Sequence, residues 1–192
     1  PTIPPVTTTP GMIAASWALL GVAGLSATVD WAAVGLARKR VEYAAKPVVI
    51  LLLIGAAVTL TPVSELRRGY TVTALVFSLA GDVLLMLPEP DPVEQARARA
   101  RGEPGNLDLF PFGLAAFLLA HINYIAGFRA GGASLQNTAL GALLVLPVAL
   151  SVGSIVVRSL VARGLEALRV PVIVYMAVLG AMTASAVATG SV

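Results

Sequence analysis

Residues 47–64, PVVILLLIGAAVTLTPVS, contain no charged side chain. Val48, Val49, Ile50, Leu51, Leu52 and Leu53 follow one another with no polar residue between them. A barrel strand alternates apolar and polar positions, so this run argues against a transmembrane β-strand and predicts a helix. An α-helix crosses the hydrocarbon core of a bilayer with about 20 such residues. Outward from this stretch the pattern repeats. Charge is also absent from 10–29, 130–157 and 170–192, and 69–88 and 109–128 are each broken by one ionisable residue, Asp82 and His121. The expectation is an all-α fold, a polytopic transmembrane helix bundle, with residues 1–192 forming a single integral membrane domain. Its six spans fall at roughly 12–29, 47–64, 70–88, 109–128, 137–157 and 170–190.

The composition excludes much else. Only 12% of the 192 residues are charged and 57% are hydrophobic, whereas a soluble domain carries about 25% charged residues to keep its surface wet. With no cysteine there is no disulfide framework, thiolate metal site or cysteine nucleophile. Residues 1–10 lack the basic segment of a cleavable signal peptide and read as a short extended lead into the first helix. The net charge of +3 offers no basic face for nucleic acid.

The cations sort by loop instead. The first, third and fifth loops hold Arg38, Lys39, Arg40 and Lys46, then Arg97, Arg99 and Arg101, then Arg158, Arg163 and Arg169. The second and fourth hold only Arg67, Arg68 and Arg129. The positive-inside rule then predicts a multi-pass protein of the cell membrane, with the N-terminus outside and the odd-numbered loops cytoplasmic. Trp31 and Tyr43 fall where interfacial aromatic anchors belong, while Trp17 sits inside the first span. Loop 89–108, with its Arg-rich stretch 96–101, reads as a solvated connector containing a short helix. Gly127 and Gly131 form one small-xxx-small spacing, a sign of close helix packing.

Ionisable residues within a span are costly and usually face an interior cavity. In the third span Ser78 and Asp82 are four apart, on one helical face, and Gly81 beside them leaves room for a backbone or a ligand to approach the carboxylate. In the fourth span Phe110, Gly113, Phe117, His121 and Tyr124 form one stripe at spacings of three and four. Lys46, followed by Pro47, stands at the cytoplasmic start of the second span. By helix rise Asp82 lies about 9 Å and His121 about 18 Å from the cytoplasmic ends of their spans. If the helices are neighbours, Lys46, Asp82 and His121 can line one pocket open to the inner leaflet. Each also has a structural reading. A membrane Asp can bond to a neighbouring helix, a lone His and Tyr124 can be packing residues, and Lys46 can snorkel to the interface.

The order Lys46-Pro47, then Phe77-Ser78-Leu79-Ala80-Gly81-Asp82-Val83-Leu84-Leu85, then Phe112-Gly113-Leu114, Phe117 and Ala120-His121-Ile122-Asn123-Tyr124 resembles the YhhN-like lysoplasmalogenase family. Pro171 and Tyr175 in the last span also resemble that family's pattern. The resemblance covers residues 40 to 185. It implies eight helices and a second membrane aspartate in a Ser-Asp element near the C-terminus. The 192 residues hold six spans and no such Ser-Asp pair, so the sequence is expected to continue beyond Val192 or to supply the second acid differently.

The implied activity is hydrolysis of the vinyl ether bond of lysoplasmalogens, the lysoplasmenyl-ethanolamine and -choline lipids, to a fatty aldehyde and a glycerophospho-base. The partners implied are a lysophospholipid or ether-lipid substrate and the membrane lipids. Acid-catalysed cleavage of a vinyl ether calls for no cofactor and no metal. It calls for a proton donor in an apolar site and a base for water, as glycosidases pair two carboxyl groups. Removal from water disfavours the charged form of a carboxyl, which suits Asp82 to proton donation. His121 is the candidate for activating water or positioning the ether oxygen. Lys46 is the candidate for the headgroup phosphate, a point charge on a flexible stem, and Ser78, Asn123, Tyr124 and Tyr175 are further substrate-binding candidates. Asp82 can equally be the base or the group that stabilises the cation.

Two other classes fit an intramembrane Asp and His. A proton-coupled transporter of small molecules or lipids would protonate Asp82 and His121 in turn, though inverted repeats and broken helices are not evident. A structural membrane protein would use them for packing alone. An intramembrane aspartyl protease needs Gly where Leu79 stands, a zinc hydrolase needs several His where there is one, and the Gly-x-Ser-x-Gly elbow of serine hydrolases does not occur.

Overall fold

A computed structural model describes residues 10–60, 64–87, 100–102 and 108–189, the side chains from Ala14 onward. Among the described residues six long helices stand out: α1 (Pro10–Gly35), α2 (Lys39–Thr59), α3 (Glu65–Met86), α4 (Phe110–Ala130), α5 (Leu135–Ala162) and α6 (Arg169–Thr189), the last preceded by a 3-10 turn at Glu166–Leu168. All six are long and apolar enough to cross a membrane. The sequence-predicted spans are recovered, but their ends move. The first helix runs on through Asp30 to Gly35, and the second begins eight residues before Pro47, which becomes an internal proline. The fifth extends to 28 residues around Pro147. The helix expected within the loop falls mostly on residues 88–99 and 103–107, outside the described residues.

Local chemistry sets the ends. Ser64 and Ser134 cap α3 and α5, each hydroxyl accepting from the amide of the third residue on, Arg67 or Asn137, at 3.0 Å. Asp108 accepts from the amide of Phe110 at 3.0 Å, and a proline stands in the first turn of α4, where a missing N–H costs nothing. Gly164 ends α5 at a φ of 70°, a backbone region glycine enters without steric cost, and Leu165 N then donates to Leu160 O. At the α1–α2 turn the same region is filled by Ala37 at 54°, with Arg38 N donating to Ala33 O at 2.8 Å. Inside the helices hydroxyls turn back onto their own backbone: Thr59 onto Gly55 O, Thr71 onto Arg67 O, Thr183 onto Leu179 O and Ser185 onto Ala181 O. In hydrocarbon that is how an isolated hydroxyl is satisfied.

Neighbouring helices follow the order α1, α2, α3, α4, α6, α5. What is buried between them is small: Ala23, Ala33, Ala56, Ala74, Ala116, Ala120, Ala184 and Ala188, with Ser16 and Ser185. What faces outward is large, including Trp17, Trp31, Leu143 and Leu144. Lipid is as apolar as leucine, so helices associate by close backbone approach and interhelical hydrogen bonds, which small residues permit. Ser16 of α1 donates to Thr59 Oγ1 of α2 at 2.9 Å. The expected role of Gly127 and Gly131 holds. A Cβ on Gly127 would meet Tyr70 Cβ at 3.3 Å, and one on Gly131 would meet Arg67 Cδ at 2.8 Å, both on α3.

The tightest approach joins α5 to α6. A Cβ on Gly141 would lie 2.5 Å from the backbone oxygen of Ala184 and 3.2 Å from its carbonyl carbon. Backbone cannot yield as a side chain can. Gly141→Ala is expected to cost about 1–3 kcal/mol by overpacking and to lower the thermal midpoint in detergent micelles, whereas Leu144→Val on the outward face leaves it unchanged within error.

Candidate functional site

Asp30 lies five residues before the end of α1, Lys46 seven residues into α2, and Asp82 four residues before the end of α3. Because α1 and α2 are joined by a short turn and α3 runs back along α2, these positions share one end of the bundle, each about 6–11 Å from its helix terminus. Glu42 joins them one helical turn from Lys46, and its Oε1 stands 2.6 Å from Lys46 Nζ. Lys46 also feels the charges of Asp30 and Asp82, and Asp82 feels those of Lys46 and Asp30. Among the described residues this layer therefore brings together Asp30, Glu42, Asp82 and Lys46, with Lys39 also acting on Glu42. Asp82 is half-buried. Asp30 is 9% exposed, and its Oδ1 is buried without a hydrogen-bond partner among the described residues.

The first span expected from the sequence, 12–29, leaves Asp30 outside. Asp30 belongs to the membrane-length part of α1, Ala14–Gly35. A criterion that ends a span at its first charge stops one residue short of it. The Glu42–Lys46 pair, at a helical spacing of four, was visible in the sequence but not drawn from it.

Deeper along the bundle is a second group. His121 is buried, and its Nδ1 donates to Phe117 O at 2.5 Å. A carbonyl only accepts, so Nδ1 carries the hydrogen, and in the neutral ring Nε2 is left as the acceptor. The ring stands edge-on to Tyr175 of α6, with centroids 5.3 Å apart and planes at 85°. The Tyr124 and Ser78 side chains come within interacting range across α4 and α3. Ser78 is one turn from Asp82, and Tyr124 is three residues from His121, so this pair links the faces that carry them.

Of Lys46, Asp82 and His121, expected to line one pocket, Lys46 and Asp82 lie near the same end of the bundle, whereas His121 lies eleven residues into α4. Asn123 Nδ2 donates to Leu119 O of its own helix at 2.9 Å and is used locally. The space beside Gly81 is taken by a side chain. A Cβ there would meet Phe117 Cδ2 and Cε2 at 2.7 Å, so the Phe117 ring fills it. Beside Tyr175, an apolar groove of about 330 Å³ runs between α4 and α6, lined by Phe110, Leu114, Leu118, Leu168, Val174 and Tyr175 among others.

The sequence profile of the YhhN family matches residues 41–191. The chain belongs to that family. The matched stretch takes in α2 to α6, with Lys46, Asp82, His121 and Tyr175, and leaves out Asp30. Neither a curated protein nor a solved structure matches the chain.

The Ser78–Tyr124 pair is testable by a double-mutant cycle in this YhhN-family protein. Ser78→Ala and Tyr124→Phe each remove one partner, and their effects on denaturant stability should be non-additive by about 1 kcal/mol. Additive effects would show that the two hydroxyls act separately.

Proposed function

We propose that this membrane protein hydrolyses the vinyl ether bond of lysoplasmalogens, with Asp82 as the proton donor. The observation that carries the reading is the carboxyl itself. Asp82 is half-buried in a membrane-length helix of a YhhN-family chain, next to an ammonium and within reach of a polar face formed by Ser78 and Tyr124. Intramembrane acids are retained where they have work to perform. With the odd-numbered loops cytoplasmic, the carboxyl layer opens toward the inner leaflet.

The chemistry balances on this chain's groups. Asp82 transfers its proton to the β-carbon of the vinyl ether, and the π electron pair forms the new C–H bond. The α-carbon becomes an oxocarbenium ion. Water adds its oxygen to that carbon and loses a proton, which restores Asp82. The resulting hemiacetal breaks its bond to the glycerol oxygen, its hydroxyl proton passing to that oxygen, and aldehyde and glycerophospho-base leave. His121, with Nδ1 tied to Phe117 O, offers Nε2 to orient the water. The alkenyl chain is assigned to the apolar groove that Tyr175 helps to line. Lys46, with one carboxylate at 2.6 Å and two more in range, serves better as counter-charge to the acids than as a phosphate anchor.

The test is aldehyde release from lysoplasmenylethanolamine by the purified chain in lipid nanodiscs. Wild type should release aldehyde, and Asp82→Asn should lower kcat by roughly 1000-fold, the scale of a lost general acid. Absence of aldehyde from folded wild type would sink the reading, and proton-coupled uptake into liposomes would then be measured.

A further inference from the structure

We infer that the groove between α1 and α2 seats one anionic phospholipid, its phosphate on Arg40 and an acyl chain along the apolar walls. The groove has a volume of about 530 Å³ and is separate from the one between α4 and α6. Val22, Leu25 and Val29 of α1 form one wall, and Ala44 and Val48 of α2 form the other. Their spacings of three and four keep each set on a single helical face. From Arg40 to Val48 the groove runs about 12 Å along α2, which leads from headgroup level into hydrocarbon. Leu25 is 68% exposed, and on a membrane-length helix such a surface lies against acyl chains.

The headgroup is read from charge. Of the residues that line the groove Arg40 alone is charged, and it makes no ion pair among the described residues. Arg38 and Lys39 precede it in the turn from α1 to α2. The acid of α2, Glu42, is held by Lys46 at 2.6 Å, and Asp30 is buried away from the groove lining. Trp31 and Tyr43 are exposed at this end, where interfacial aromatics mark the headgroup level. A guanidinium there can hold a phosphate through two parallel hydrogen bonds. Basic pockets between membrane helices take anionic headgroups in the same way. A second protein helix would cover the apolar walls but bring no phosphate, and free phosphate would leave the walls uncovered. A chain-length apolar groove with a cation at its mouth matches a lipid of net negative charge. The α1 wall and Arg40 precede residue 41, where the family match begins, so that match assigns them no role.

The test is native mass spectrometry of the purified chain released from detergent micelles. Phosphatidylglycerol and phosphatidylcholine with the same acyl chains are supplied singly and in competition. One phosphatidylglycerol should be retained per chain, about tenfold more strongly than phosphatidylcholine. Arg40→Gln should reduce that preference about fivefold, the share of one interfacial cation, whereas Arg163→Gln should leave it intact. Ala44→Phe should fill the groove and abolish retention of either lipid, with helicity checked by circular dichroism. Arg40→Gln alters only a side chain at the rim and decides the matter alone if Ala44→Phe misfolds. Equal retention of the two lipids, or an undiminished preference in Arg40→Gln, overturns the site. So does retention that persists in folded Ala44→Phe. Displacement of the lipid by millimolar inorganic phosphate overturns it in favour of a free-anion site, and a dimer that carries no lipid overturns it in favour of a second copy.

Discussion

Phe117 can lie across α3 only because residue 81 carries no side chain. Its ring occupies the place of the missing Cβ, and its carbonyl accepts the hydrogen of His121 Nδ1. One aromatic residue thus sets the spacing of two helices and the orientation of the buried imidazole. The same seam continues in both directions. Gly113 receives Leu85 and comes within 3.4 Å of Gly81 O, measured from an added Cβ, and Gly127 receives Tyr70. The step of four from Gly81 to Leu85 on α3 meets the step of four back from Phe117 to Gly113 on α4. With that register fixed, Ser78 meets Tyr124, and Asp82 follows one turn on. In a bilayer no hydrophobic force draws helices together, so such a seam of close contact and hydrogen bonding must hold them.

The existence of the six helices was legible because hydrocarbon tolerates so little charge. Their ends were less so. A helix does not stop where the hydrocarbon stops, and α2 carries Lys39, Arg40, Glu42 and Lys46 before its apolar run begins. Asp30 directly follows the last apolar residue of the expected first span, 12–29, yet α1 runs on through it and carries it within a buried face. Depth along an axis was readable, but facing was not. Asp82 and His121 share a bundle but not a level, and only the packing of α3 on α4 decides that. Gly81 shows the limit plainly. A glycine beside an acid reads as room for a ligand, and what fills the room is an aromatic ring from a residue thirty-six positions away.

The charged layer has an internal logic that the composition alone conceals. Among the described residues Lys46 stands with three carboxyls, and their surroundings differ. Glu42 has a direct ion pair, Asp82 sits half-buried beside the Ser78–Tyr124 pair, and Asp30 is almost closed off from solvent. Carboxyls in unlike surroundings divide acid and base roles between them, which identical environments would not allow.

The layer also depends on α1, most of which lies in front of the stretch that the family profile matches. Two contacts hold it at the level of Lys46. At the far end Ser16 donates to Thr59, and at the near end Ala37 adopts a positive φ that turns the chain within three residues. A looser turn would let α1 slide along α2, and each residue of slippage moves Asp30 by about 1.5 Å. The left-handed alanine, conformationally unfavourable by roughly 1–2 kcal/mol, is therefore in the place where register matters most: it keeps the short connection short, and with it the second carboxyl in the layer of the first.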